Sequence, residues 1–151
     1  MTNLFEITVA GTPIPQGSKR SVGKFMIEAN PRTRPWRSAV SHEALTAWEG
    51  KELLDEPLFL LVDFYFARPK SHYRTGKNAH MLKEDAPHFH AGKPDADKLL
   101  RAIGDSLTGI VVRDDSRFVQ VNAVKLYGQE RAVIRIVRAT NHRNPNGGDT
   151  Q

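Results

Sequence analysis

No cysteine occurs among the 151 residues. That absence excludes a disulfide framework, a zinc–thiolate site and a thiol nucleophile, and it fits a reducing compartment. Long apolar runs are missing as well. The longest, over residues 58–62, falls far short of the roughly 20 residues a helix needs to cross a bilayer. The opening stretch, MTNLFEITVAG, has no cationic start leading into an apolar core, so no secretory leader is expected. No internal repeat is visible. The expectation is a soluble, cytoplasmic protein with no membrane partner, and its length suits one domain with a real core.

Positive charge is what the chain has in excess. Lys and Arg number 22 against 17 Asp and Glu, a formal net charge of +5. Lys19, Arg20, Lys24, Arg32, Arg34 and Arg37 crowd the N-terminal third, and Arg74, Lys77 and Lys93 punctuate the middle. A solvated basic face explains such a distribution, and so does a polyanionic partner, with nucleic acid first among them.

The pattern predicts an α+β chain. Residues 4–9 alternate as a first strand, 11–20 (GTPIPQGSKR) read as a loop restricted by proline, and 24–28 suit a short second strand. From Arg34 the period turns helical, with Trp36, Val40, Ala44 and Trp48 on one side and Gly50 as the stop. Residues 58–67 (LFLLVDFYFA) form the strongest strand, apolar on both faces except at Asp63, and so are expected at the centre of a sheet. Residues 70–93 show no usable period and hold four of the 6 histidines; a segment of this kind is functional or disordered. His88 and His90 can be read as ligands of a zinc or manganese ion, but with no tight ligand motif around them the plain reading is a histidine-bearing loop. Two closing strands, 118–126 and 132–138, are expected to form an antiparallel hairpin about Tyr127-Gly128-Gln129-Glu130. Together with the first two strands and the central one they would make a single mixed sheet backed by two principal helices. Residues 141–151 (NHRNPNGGDTQ) are expected to be a disordered tail.

The most informative stretch is 93–116, KPDADKLLRAIGDSLTGIVVRDDS. Asp95 and Asp97 stand at the mouth of an amphipathic helix whose core stripe is Leu99, Leu100, Ile103 and Leu107. Asp97, Arg101 and Asp105 lie on the opposite side. A short apolar strand, 110–112, then delivers Asp114 and Asp115 to a turn. Each part has an ordinary explanation. An aspartate at a helix start can cap free N–H groups and complement the helix dipole, and an Asp–Arg pair one turn apart can be a surface ion pair. Clustered carboxylates in a cationic protein also suit a hard divalent cation.

In its ordered combination, Lys-Pro-Asp-x-Asp, helix, Thr-Gly, short strand, Asp-Asp-Ser, the stretch resembles the RusA-type Holliday junction resolvases, small dimeric endodeoxyribonucleases common in phages and prophages. The resemblance is strongest over 93–120 and extends to GTPIPQGSK and the two last strands. It implies an endonuclease domain over residues 1–140. It also implies that Asp95, Asp97 and Asp115 are catalytic carboxylates holding Mg²⁺, with Mn²⁺ as a substitute, and that Asp114 takes the neighbouring acidic position of the metal motif. Asp105 matches an aspartate the family often carries near the end of the helix. Two departures stand out. Lys98 follows the second aspartate where the family often has asparagine, and Arg101 replaces a catalytic lysine. Arginine keeps the charge and can grip phosphate with two donors, but does not give up a proton. The expected activity is paired, symmetric nicking of a four-way junction by a homodimer, in DNA recombination and repair. Lys19, Arg20, Arg74, Lys77, Lys93 and Lys98 are the expected DNA contacts. The alternatives are a non-catalytic DNA-binding protein of the same fold and an enzyme using Asp-x-Asp to hold a metal-nucleotide. The second lacks the expected nucleotide-binding strand–loop–helix pattern.

Overall fold

In the computed structural model, residues 2–17, 19–28 and 30–140 are described, with backbone alone over 19–22 and 25–28. The elements in chain order are β1 (Asn3–Ala10), β2 (Lys19–Val22), β3 (Phe25–Glu28), α1 (Thr33–Trp48), β4 (Leu58–Phe66), α2 (Ala96–Leu107), β5 (Phe118–Tyr127) and β6 (Arg131–Arg138). The expected tail, 141–151, lies outside the described residues, as do the side chains of Lys19 and Arg20.

The apolar run that reads as a central strand is one. β4 pairs parallel with β5 on one edge and antiparallel with β6 on the other, in a four-stranded mixed sheet of order β1-β6-β4-β5. Its alternate residues Leu60, Val62, Phe64 and Phe66 are buried, beside Ile134 and Ile136 of β6 and Ile7 and Val9 of β1. Both helices add to the same core. α1 contributes Trp36, Val40 and Ala44, and α2 contributes Leu99, Ile103 and Leu107. Full burial of each of those α2 side chains is worth about 1.5–3 kcal/mol, enough to hold the helix without help from its caps. Ser41 on α1 donates through its hydroxyl to the Ser106 carbonyl on α2 (3.0 Å), tying the helices together. The polar exception in β4, Asp63, meets Arg135 of β6 at 3.1 Å, and Arg135 also reaches Glu6 of β1 at 3.3 Å.

Three expectations need correction. β5 and β6 do not form a hairpin, because β4 lies between them. The Gly128 N–H bonds to the Phe66 carbonyl (2.9 Å), so the reversal at 127–130 wraps round the end of β4. A strand apolar on both faces gains most by taking a neighbour on each side, and turn residues carry no information about that. Second, β2 and β3 pair only with each other, so β1 alone of the N-terminal strands joins the sheet. Third, residues 110–112 are a turn held by bridges from Val112 to Leu54 and Thr108 rather than a strand.

The middle segment is built as a structured excursion. It has two 3₁₀ turns, Lys70–His72 and Gly76–Asn78, and bridges Tyr73–Leu82 and Phe89–Leu126. His90 stacks on Phe66 with ring centres 4.6 Å apart, and His72 meets Tyr127 edge-on at 4.9 Å. These contacts pack two of the four histidines against the end of the sheet.

Candidate active site

The start of α2 is fixed from three sides. The His90 N–H bonds to the Lys125 carbonyl (3.0 Å), laying the incoming segment along β5. From the same residue, Lys125 Nζ donates to the carbonyls of Gly92 (2.6 Å) and Pro94 (2.9 Å). The N-terminal loop closes the third side. The Gln16 N–H bonds to the Lys98 carbonyl (2.9 Å), and the Thr33 hydroxyl donates to the Pro15 carbonyl (3.1 Å). GTPIPQG is therefore a strap between the two helices, which explains its proline content: a stiff loop loses little freedom on docking.

Asp95 occupies the N-cap position, and its carbonyl accepts the Leu99 N–H (3.1 Å). Its carboxylate makes no capping hydrogen bond. The capping explanation for this aspartate therefore does not hold at the side chain, which instead approaches Lys98 Nζ at 3.7 Å. Asp97 lies in the first turn, and no described residue makes an ion pair with it or with Arg101.

Asp97, Arg101 and Gly104, spaced as one helix face, line a pocket of ≈ 180 Å³. Asp115, Phe118 and Val121 close it from the β5 side. Gly104 lines the pocket between Asp97 and Asp115, and a Cβ there would stand 3.9 Å from the Asp115 Cβ, in ordinary contact, taking up part of the space. Asp95 does not line this pocket. It lines an adjoining cleft of ≈ 450 Å³ with Lys93, Lys98 and Arg32, on the other side of the helix start. Among the described residues, no three His, Asp or Glu side chains gather tightly enough to form a ready-made metal cage.

The turn carrying Asp115 has its own fastening. Asp55 receives Arg117 at 2.8 Å and Arg113 at 3.1 Å, bracketing the acidic pair. The hydrogen bond from Arg117 and then the charges of both guanidiniums hold the Asp55 carboxyl below its ordinary value of 3.8. Asp114 is absorbed by the turn: its Oδ2 accepts the Ser116 N–H at 3.4 Å. Hydrogen bonds from Ser116 lower its pKa. Sequence reasoning missed both Asp55 and Lys125, which hold the acidic segments without belonging to any motif.

Asp97 and Asp115, which line one pocket in common, are the carboxylates that could hold a hard cation here, since Mg²⁺ needs few protein ligands once water and substrate oxygens complete its octahedron. Of the expected DNA contacts, Lys93 and Lys98 rim the cleft beside the pocket. Arg74 and Lys77 are exposed on the middle excursion, with Arg74 Nε also reaching the Leu82 carbonyl (3.3 Å). No helix among the described residues is long and apolar enough to cross a membrane.

The uncharacterized protein YqaN of Bacillus subtilis (strain 168) is 24% identical over 136 residues, spanning 88% of this chain and 94% of its own length. The sequence model of endodeoxyribonuclease RusA matches residues 10–137, from the last residue of β1 to the penultimate residue of β6. That span takes in both helices, the acidic pocket and its fastenings, and the chain belongs to the RusA family of Holliday junction-resolving endodeoxyribonucleases.

Proposed function

We propose that the protein cuts four-way DNA junctions by magnesium-assisted hydrolysis of a phosphodiester, with the pocket between α2 and β5 as the reacting centre. The observation that carries this reading is the shared lining of that pocket by Asp97, Arg101 and Asp115. Asp97 and Asp115 would hold the ion, Asp95 would add its charge from the cleft at the helix entrance, and Asp114 supports the turn beside Asp115. Mn²⁺ can substitute. Bound metal supplies a water of lowered pKa and offsets charge developing at phosphorus.

The chain's own groups do the rest. Arg101, one turn after Asp97, donates to a non-bridging phosphate oxygen and stabilises the crowded transition state; as an arginine it contributes charge and geometry, with no proton transfer. Lys93 and Lys98 hold the adjacent backbone. Lys19 and Arg20 on the first hairpin, and Arg74 and Lys77 on the middle excursion, extend the contact to the arms of the junction. A homodimer places two such centres about a two-fold axis, matching the symmetry of paired incision.

The test is a synthetic four-way junction and a linear duplex of the same sequence, each incubated with the protein and magnesium. Symmetric nicks confined to the junction are expected. Binding without cutting would favour a non-catalytic junction binder, and equal cutting of both substrates would remove the structural selectivity.

A further inference from the structure

We propose that the cleft beside the start of α2 accepts one unstacked nucleotide of the bound DNA, next to the phosphate to be cut. This deepens the DNA-cleaving reading and rests on it. At ≈ 450 Å³ the cleft has room for a single base with its sugar-phosphate.

Its lining divides by chemistry. Pro13, Ile14, Pro15, Phe66 and Pro94 give apolar walls, several of them ring-flat, of the kind on which a base face settles. Thr12 supplies a hydroxyl, and Asn30, whose Oδ1 already accepts the Arg32 N–H (2.9 Å), has its amide N–H groups left to donate to a base edge or sugar. Arg32, Lys93 and Lys98 stand against the single carboxylate of Asp95, a cationic surround suited to a phosphate. No class of small apolar ligand calls for three cations, and a free phosphate leaves the apolar walls without a role.

The walls are held in place before any ligand arrives. Phe66 is backed by the stacked ring of His90, the Pro13–Pro15 wall is tied to α1 and α2 through Thr33 and Gln16, and Pro94 is held by Lys125. Such a cleft asks little reorganisation of the protein on binding. Asp95 belongs to it and Asp97, two residues on in the same helix turn, belongs to the reacting pocket. The two recesses thus open at the same helix start, through residues two apart in the sequence.

The experiment measures affinity for a four-way junction without divalent metal, so that no cutting is needed. An abasic residue is placed in turn at each nucleotide flanking the cut. With the wild-type protein, one position should weaken binding about tenfold, the loss expected when one stacked base is removed. Thr12→Phe, which fills the cleft from its rim, should bind the intact junction about tenfold more weakly and show no further abasic penalty. Asn30→Ala, which adds no bulk, should shrink the penalty without abolishing it, and covers the case in which Thr12→Phe does not fold. An unmodified junction bound well by wild type, with no abasic penalty at any position or with the same penalty in all three proteins, overturns the cleft assignment while leaving the nuclease reading intact. A wild-type protein indifferent to junctions overturns both.

Discussion

At the residue scale, the acidic site has a glycine in its wall as well as its acids. Gly104 sits inside α2, where glycine costs about 1 kcal/mol relative to alanine. It lines the pocket between Asp97 and Asp115, with room for a Cβ only 3.9 Å from Asp115. Gly104→Ala should therefore stabilise the fold, raising the melting temperature by about 2–4 °C, and slow junction cutting several-fold by narrowing the pocket. Thermal melting and a cleavage time course on the same preparation check both halves. A variant that melts higher and cuts at the wild-type rate would show that the pocket has spare room.

The same scale shows what spacing alone conveys. Asp95, Asp97 and Arg101 are legible because a helix fixes the relation of residues a turn apart. The sequence period also separates Asp97 from the Leu99–Ile103–Leu107 stripe. It does not show that Asp95 opens into a different cleft from Asp97. That division follows from the docking of the 11–17 loop on α2, a contact between segments some eighty residues apart.

At the element scale, β4 could be recognised from composition and β5 and β6 from their ends, but their order could not. Local alternation tells which residues are strand; pairing is decided by which edges remain to be covered. Lys125 is the functional cost of that blindness. Its ammonium group binds the Gly92 and Pro94 carbonyls and so sets where α2 begins. Lys125→Met should lower the turnover rate for junction cutting about tenfold, through misplacement of Asp97, with junction affinity changed less than threefold. Single-turnover cutting alongside equilibrium binding separates the two. An equal loss in both would make Lys125 a DNA contact instead.

For the molecule as a whole, basic charge is balanced in places by carboxylates whose ion pairs bridge distant segments, as Asp55 does with Arg117 and Glu56 with Arg138. Asp55, Asp114 and Glu56 all titrate below their ordinary values: Asp55 chiefly through Arg117, Asp114 through Ser116, and Glu56 through Arg138. A carboxyl depressed in the folded state contributes stability that is complete above its unfolded value, 3.8 for Asp and 4.5 for Glu. That contribution is lost as pH falls through the lower folded values. Urea midpoints should thus be flat from pH 7 to about 5 and fall below about 4. Asp55→Asn should show a shallower acid decline than wild type; identical declines would mean that the Arg113–Asp55–Arg117 clamp adds nothing to the folded state.

The most direct measurement is the cutting rate of Asp97→Asn on a four-way junction in magnesium, at protein concentrations where binding of the junction is shown to be complete. The amide keeps the shape and removes the charge that a hard cation requires. A rate lower by about 100-fold or more is expected, with junction affinity equal to or tighter than wild type. Cutting at the wild-type rate by this variant would contradict the account, because the pocket shared by Asp97 and Asp115 would then not be where the phosphodiester is hydrolysed.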